Sequence, residues 1–360
     1  MRNGNTPSYR PGDKGSETMV VASYNYQESK IEKGYNGRTL HVDLSSKKFT
    51  EKPVSEEMKE KFIGGKGFDL WLMWNSMPPK TRWNDAQNEI VIASGPLGGT
   101  PVYPGSGKSI VTSISPLTGS VIDSNVGGYF GPYLKFCGFD AIELQGKSDK
   151  PVYVLIDNER NVVEIHDASD LPERAFEITQ QLTEKYAGDR PKNVTVVTAG
   201  PGAKHTNWGC LNFSFYDIPR KLSRYKQAGR GGIGTVFMDK NIVAIVAKNV
   251  KPVNVGANAP ADEASLKEAG RYHSGEIRDL DPKQNEMARV GTTHIVDIMD
   301  DYDLLPTHNF KFGKVESVGS DVRKIGREAY RAKFDKGFDG CWMGCTVACS
   351  HCIKEEMMRT

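Results

Sequence analysis

From Tyr35 to about Asn249 the chain alternates short β-branched apolar runs with clusters of Gly, Pro, Asn and Asp. That pattern predicts strands at Arg38–Asp43, Ile90–Ser94, Ser109–Thr112, Asp140–Gln145, Val152–Asp157, Val162–His166, Val194–Thr198, Gly234–Met238 and Ile242–Ala247. The runs IVIA (90–93) and IVAIVA (242–247) are apolar on both faces, so some strands are expected in a sheet interior. Two helical patterns interrupt the strands. Ser55–Phe62 closes into Gly64-Gly65-Lys66-Gly67. The second opens at Asp170, with Glu173 at capping-box spacing. It then places Leu171, Ala175, Ile178 and Leu182 on one stripe toward Tyr186 and stops at Gly188.

The periodicity changes after Asn249. Lys251–Ala261 (KPVNVGANAPA) is a linker rich in Pro, Gly and Ala, and beyond it come helical patterns at Asp262–Gly270, Thr293–Tyr302 and Val322–Phe334. Strands followed by helices indicate an α+β chain. The expected organisation is a mobile lead-in over 1–34, a β-rich cofactor-binding domain over 35–254, and a helical domain over 255–360. The helical part reads as only the start of a domain, because nothing after the last cysteine seals a core.

Composition narrows the function classes. The 360 residues are 38% hydrophobic and 26% charged, enough apolar side chain for a sizeable core. With 47 basic and 45 acidic residues the formal charge is +2, so no global field recruits nucleic acid or an anionic membrane. No apolar run approaches the ~20 residues of a bilayer span. The first 37 residues are polar except for Met19–Ala22, which is too short for a secretory signal, so the cytoplasm is the expected compartment.

Fifteen of the 37 glycines fall in four segments: GGKG (64–67), GPLGGTPVYPGSGK (95–108), NVGGYFG (125–131) and AGRGGIG (228–234). Each alone reads as a turn. None matches the nucleotide-triphosphatase or dinucleotide glycine signature. Successive backbone N–H groups in such loops hold anionic oxygens, and Lys66, Lys108, Lys226 and Arg230 lie within or beside them. Together the four favour a large polyanionic cofactor.

Of six cysteines, four fall within twelve residues as Cys341-x3-Cys345-x3-Cys349-x2-Cys352. Clustered thiolates in a long chain indicate a soft metal centre rather than a disulfide scaffold. Iron–sulfur is the leading reading, because zinc favours two C-x2-C knuckles and only Cys349–Cys352 has that spacing. Free thiols are the remaining alternative. Cys137 and Cys210 are expected to be buried small residues. The seven histidines show no metal-ligand spacing among themselves. His205, in the turn GPGAKHTNWG, is the one with a plausible ligand contact.

Several motifs then recur in a familiar order: ASGPLGGT (93–100), SPLTG (115–119), NVGGYFGPYLKFCGFDAIELQGKSDKPVYVLI (125–156), AGRGGIGTVFMDKNIVAI (228–245), GTTHIVDIMDDYDLLPTHNFKFG (291–313) and the cysteine cluster. In these residues, from about Gly34 to Ser350, the chain resembles the tungsten-dependent aldehyde:ferredoxin oxidoreductase family. The resemblance implies a two-sheet N-terminal domain forming the base for a tungsten bis-pterin (molybdopterin) cofactor, with helical domains above it. It implies cofactor contacts at Lys108, Asn125, Gly127, Lys226, Gln227, Gly229 and Arg230, with magnesium bridging the pterin phosphates. It also implies three ligands of a 4Fe-4S cluster at Cys341, Cys345 and Cys349.

Lys108 and Lys226 stand where the family carries arginines, which keeps the charge but loses the bidentate fork. The first cysteine spacing is three residues where two is usual. The family's fourth cluster cysteine and its acid/histidine pair near tungsten lie beyond residue 360, so the chain resembles an N-terminal portion. Tungsten or molybdenum chemistry is expected, with an aldehyde oxidised to a carboxylic acid. Electrons would pass through the cluster to ferredoxin or an iron–sulfur partner subunit, and a homo-oligomer is compatible with this. The first alternative is the tungsten subunit of an ATP-independent benzoyl-CoA reductase, acting on an aromatic acyl-CoA. The second, from another class, is a non-catalytic iron–sulfur or zinc binding module.

Overall fold

In the computed structural model, which describes residues 18–218, 220–333, 336–337, 340–350 and 352–353, the β-branched runs pair into two mixed sheets. In chain order their strands are β1 (Val20–Asn25), β2 (Arg38–Asp43), β3 (Lys48–Pro53), β4 (Ile90–Ala93), β5 (Ser109–Ile114), β6 (Val121–Val126), β7 (Ala141–Gln145), β8 (Val152–Asp157), β9 (Val162–Asp167), β10 (Val194–Thr198), β11 (Leu211–Asp217), β12 (Leu222–Ala228) and β13 (Ile242–Lys248). The six-stranded sheet runs β3-β2-β7-β4-β5-β6, and the seven-stranded one runs β1-β9-β8-β13-β10-β11-β12. β2 with β7 and β8 with β13 are parallel; the other pairs are antiparallel.

The helices are α1 (Glu56–Phe62), α2 (Lys66–Ser76), α3 (Phe130–Phe136), α4 (Ala175–Ala187), α5 (Ile233–Asp239), α6 (Glu263–Leu280), α7 (Met287–Val290), α8 (His294–Asp301) and α9 (Arg327–Lys333). Strand alternation sorts the apolar side chains into layers. Leu40, Val42, Ile90, Ile92, Ile142 and Leu144 from one sheet meet Val154, Ile156, Ile245 and Ala247 from the other in the central core, which α3 and α5 share. Val91, Ala93 and Ala141 point the opposite way, under Phe68, Leu72 and Met73 of α2. On the far side, Leu155, Val196 and Val246 pack against Ile178 and Leu182 of α4.

Several local expectations are corrected. Ser55 does cap α1, accepting from the Met58 N–H at 3.1 Å. The capping box at Asp170 does not form; α4 begins at Ala175 with no side-chain cap. Pro172 disfavours a helical Leu171, which blocks the earlier start. Gly188 ends α4 at φ +56° as expected.

The expected strand Gly234–Met238 is instead α5. Ile233, Val236 and Phe237 are all fully buried, at helical spacing. A Cβ on Gly234 would stand 2.3 Å from the Cys210 carbonyl, so only glycine admits this packing.

Val20–Asn25, placed within the lead-in by the sequence, is an edge strand paired with β9. Residues 1–17 lie outside the described residues, as does Phe334 at the end of the expected last helix, whose ordered turns are α9. The cysteine segment is bracketed by a short antiparallel pairing of Lys336–Gly337 with Cys352–Ile353. Among the described residues no helix is long and apolar enough to cross a membrane.

Candidate cofactor and thiol site

The glycine loop between β4 and β5 is folded back on itself. Gly98 and Gly99 donate to the carbonyls of Gly95 and Ser106 at 2.9 and 3.0 Å, and the Ser106 hydroxyl donates to the Thr100 carbonyl. Lys135 of α3 holds the loop from beneath, its Nζ donating to the Gly95 and Pro96 carbonyls at 2.8 and 2.9 Å. Burial pushes the Lys135 ammonium down to about 7, against the opposing pull of Asp140. Asn258 adds a bond to the Pro96 carbonyl at 2.7 Å.

Residues 340–350 lie on this loop and on the β6–α3 turn. Trp342 occupies the space where Gly107 would carry a side chain: a Cβ there would be 2.1 Å from the Trp342 Cβ. The indole is 4% exposed, donates from Nε1 to the Thr100 carbonyl at 3.2 Å, and meets Tyr129 edge-on at 4.5 Å. Gly128 donates to the Cys341 carbonyl at 3.1 Å, and Thr292 donates to that of Cys349 at 3.0 Å. A Cβ on Gly127 would approach Cys341 Cβ to 3.0 Å and its Sγ to 3.3 Å. Glycine at 107 and 127 is thus what lets the cysteine segment seat.

Two adjoining cavities result. One, about 380 Å³, is lined by Cys341, Cys345 and Cys349 with Lys108, Tyr103 and His273. The other, about 650 Å³, is lined by Lys108, Asp123, Ser124, Asn125, Gln227, Gly229 and Arg230. Lys108 belongs to both. Burial, then the neighbouring Cys341 and Cys345 thiols, raises the Cys349 thiol, while Lys108 pulls it back down. Among the described residues no three His, Cys, Asp or Glu side chains are arranged around a single metal ion.

Five of the seven residues singled out as cofactor contacts therefore share one cavity: Lys108, Asn125, Gln227, Gly229 and Arg230. Gly127 abuts Cys341 instead. Lys226, neighbour of Gln227 on β12, points to the other face, where its Nζ donates to the Ser350 hydroxyl at 2.9 Å and lies 5.7 Å from the Phe215 ring centroid. Lys66 does not line the cavity but pairs with Asp123 at 2.6 Å, offsetting the carboxylate in its wall. His205 lines neither cavity. Cys137 is buried as expected, whereas Cys210 is partly exposed.

Sequence reasoning missed Asp123, Ser124 and His273 as parts of the site, while Trp342 between the cysteines suited the apolar shell of a cluster. The first two stood within reach, since they directly precede the singled-out Asn125 in VIDSNV (121–126).

The donor set suits a polyanion beside a thiolate centre. Among the described residues, chain neighbours aside, nothing lies within 4 Å of a would-be Cβ on Gly105 or Gly229, so backbone there is open to a ligand. Lys108 and Arg230 supply cations. Nearby in the chain, the buried hydroxyls of Thr100 and Thr346 have no hydrogen-bond partner among the described residues, though they line neither cavity. A 4Fe-4S cluster spreads its thiolates wider than one ion does, which accords with three cysteines around a cavity rather than around a point.

Residues 39–249 match the family described as aldehyde ferredoxin oxidoreductase, N-terminal domain, and residues 268–360 match its domains 2 and 3. The tungsten-containing aldehyde ferredoxin oxidoreductase of Pyrococcus horikoshii is 34% identical over 315 residues, covering 87% of this chain and 48% of that protein. The enzyme of the same name from Pyrococcus furiosus is 31% identical over 312 residues, 86% of this chain and 48% of that one. An aliphatic sulfonate oxidoreductase, WOR-like subunit, from Pyrococcus furiosus is 34% identical over 235 residues, 61% of this chain and 35% of that one. The active-site complex BamBC of benzoyl coenzyme A reductase, solved with 1,5-dienoyl-CoA, superposes with a TM-score of 0.66 at 24% identity. That match covers 91% of this chain and 48% of the other, and it establishes likeness of fold. The chain spans about half the length of the curated relatives it matches.

Proposed function

The chain belongs to the aldehyde ferredoxin oxidoreductase family, and from that premise we propose that it is the cofactor-binding portion of a tungsten oxidoreductase. The observation that carries the reading is the place of Lys108, in the wall of the thiol cavity and of the cavity lined by Asn125, Gln227, Gly229 and Arg230. A single cation shared by an anion site and a thiolate site couples two prosthetic groups that must exchange electrons.

In this reading Lys108 and Arg230 bind the pterin phosphates by charge-assisted hydrogen bonds, and the open backbone at Gly229 lets an anion approach the chain. Asn125 and Gln227 orient the bound group, and the Asn125 carbonyl is the oxygen ligand suited to magnesium. Cys341, Cys345 and Cys349 hold the iron–sulfur cluster. Gly127 and Lys226 act on the thiol side, the first by making room for Cys341 and the second by tethering Ser350. When bound, the metal–pterin group supplies two-electron redox chemistry, and the cluster supplies one-electron steps outward. The protein contributes position, charge and exclusion of water.

Aldehyde oxidation to a carboxylic acid is the favoured reaction, with ferredoxin or an iron–sulfur subunit as acceptor, because relatives at 31–34% identity carry that name. Expression of the chain together with its downstream sequence, anaerobically with tungstate, tests it. Tungsten or molybdenum with about four irons per chain supports the proposal, and aldehyde-dependent reduction of a viologen dye supports the substrate. Zinc as the sole metal, or no metal at all, overturns it. Ring reduction of an aromatic acyl-CoA without aldehyde turnover replaces the substrate while leaving the cofactor reading intact.

A further inference from the structure

A line of polar side chains crosses the buried face of the six-stranded sheet beneath α2. The strand registers set Asp123 of β6 opposite Thr112 of β5, Thr112 opposite Val91 of β4, Val91 opposite Glu143 of β7, and Glu143 opposite His41 of β2. Residues directly opposite share a face, and strands are spaced about 4.8 Å apart, so the line advances one polar group per strand and is interrupted only at Val91. Two acids close that gap. Asp69 of α2 accepts from the Thr112 hydroxyl at 2.7 Å. Glu89, two residues before Val91 and so on the same face, accepts from Ser76 at 2.6 Å and lies 3.7 Å from His41 Nε2.

Asp69, Glu89 and Glu143 are fully buried. Glu143 is satisfied, taking hydrogen bonds from Thr39 at 2.6 Å and from Lys52. Asp69 and Glu89 are not: among the described residues Oδ1 of the first and Oε1 of the second have no hydrogen-bond partner, His41 Nε2 standing 3.7 Å from the latter. A core gains nothing in stability from two neighbouring acids with idle oxygens, because each pays desolvation without a compensating bond. Burial raises both acids: Asp69 is held well above the carboxylate range, with Asp123 and Glu89 adding to the rise against the Thr112 hydrogen bond, and Glu89 is raised to about 7 by burial and then Glu143, against the Ser76 hydrogen bond, Lys52 and Lys240. The line begins at Asp123 in the wall of the larger cavity and ends at His41 and the half-exposed Lys52 on the opposite edge.

The geometry points to a proton-transfer row, Asp123–Thr112–Asp69–Glu89–His41, that joins the cofactor cavity to the far edge of the sheet. Each hop passes one proton from a carboxyl or hydroxyl to the next free oxygen or nitrogen, with no electron moving. Its use rests on the oxidoreductase reading, in which RCHO + H2O gives RCOOH, two electrons and two protons, and the row offers those protons a path from the cavity to the far edge of the sheet.

Infrared spectroscopy of the 360-residue chain tests the row without any cofactor. The protonated carboxyl C=O bands of Asp69 and Glu89 are assigned with Asp69→Asn and Glu89→Gln, and their deuteration is followed after mixing into D2O at pH 7. With both ends of the row open, Thr112→Val or Glu89→Gln alone slows Asp69 deuteration by no more than a few-fold, whereas the double variant slows it at least ten-fold. Thr112→Ser, which keeps the hydroxyl, retains the wild-type rate and controls for packing. Absence of a protonated Asp69 band at pH 7, or equal deuteration in the wild type and a folded double variant, overturns the row. Metal content decides the tungsten reading separately, so the two failures are distinguishable.

Discussion

Replacing Trp342 with alanine tests how the cysteine segment is held. The indole is 4% exposed, stacks edge-on to Tyr129 and donates to the Thr100 carbonyl. Truncating a buried tryptophan costs about 3–5 kcal/mol; the Thr100 carbonyl loses one of its two donors but keeps the Ser106 hydroxyl. The other polar anchors of residues 340–350 include the Gly128 and Thr292 amide bonds, the Lys226–Ser350 bond and the close seat of Gly344 on Pro101. The segment therefore opens as a local unit, and its opening constant rises by roughly two to three and a half orders of magnitude, at 1.4 kcal/mol per tenfold. The assay is alkylation of the metal-free chain at low reagent concentration, where rate follows the open population. Cys345, 7% exposed, reports the segment; Cys137, 1% exposed in the central core, reports global unfolding. Trp342→Ala accelerates Cys345 by that factor and Cys137 far less. Equal acceleration at both would refute local docking and make Trp342 a strut of the whole core, and an unchanged Cys345 would refute the energetics.

Lys135, depressed to about 7 by burial, sheds its proton in the folded chain while the unfolded chain keeps it to ~10.4. The unfolded state therefore binds the extra proton between these values, stability rises with pH across that window, and Lys135→Met flattens the rise in melting temperature between pH 7 and 9. Glu89 has the opposite sign: raised from 4.5 to about 7, it makes the folded state the better proton binder, so its contribution falls as pH climbs through that window. Glu89→Gln removes this loss, and its stability relative to wild type, measured by urea titration, increases from pH 5 to pH 8. Gly127→Val drives a branched side chain into Cys341, whose Cβ is already 3.0 Å from where a Cβ would sit. Iron bound after anaerobic reconstitution with ferrous iron and sulfide should fall at least five-fold, while the main melting transition holds.

The strands most legible in the sequence are those with one unambiguous environment. Val152–Asp157 and Val194–Thr198 are buried on both faces and carry β-branched runs, and their ends match the expectation. The missed ones include an interior strand, Leu211–Asp217, and two that are polar. Lys48–Pro53 and Leu222–Ala228 are edge strands whose KFTEKP and LSRYKQA owe their conformation to one neighbour each. α3 was hidden because FGPYLKF is buried all round, which erases helical periodicity, and α2 because glycines open it. The site was legible through residue type rather than pattern: cations, glycines and cysteines stood out wherever they lay. What no one-dimensional reading could supply was the face of Lys226, which depends on β12 pairing Phe213 with Lys226 and Asn212 with Gln227.

The location of the site follows from the same edges. β6 ends one sheet and β12 ends the other, and the two lie side by side where the cavity opens. An edge strand presents backbone groups that no ladder consumes, and in most proteins that is a liability to be blunted. Here the two edges flank one cavity, with Asp123, Ser124 and Asn125 of β6 on one side and Gln227 of β12 with Gly229 and Arg230 on the other. A ligand rich in anionic oxygens can satisfy this backbone without displacing any sheet bond, so binding costs the scaffold nothing in its own hydrogen bonding. The cysteine segment closes one end of the space because glycine at 107 and 127 leaves it room, and Lys108, at the foot of β5, is the side chain both compartments must share. A lysine at that position offers a mobile point charge rather than a fixed fork, so its contact with either compartment is set by the charge it meets there. The link between the anion site and the thiols is therefore electrostatic in origin, made by one side chain that the sheet edge and the glycine loop together position.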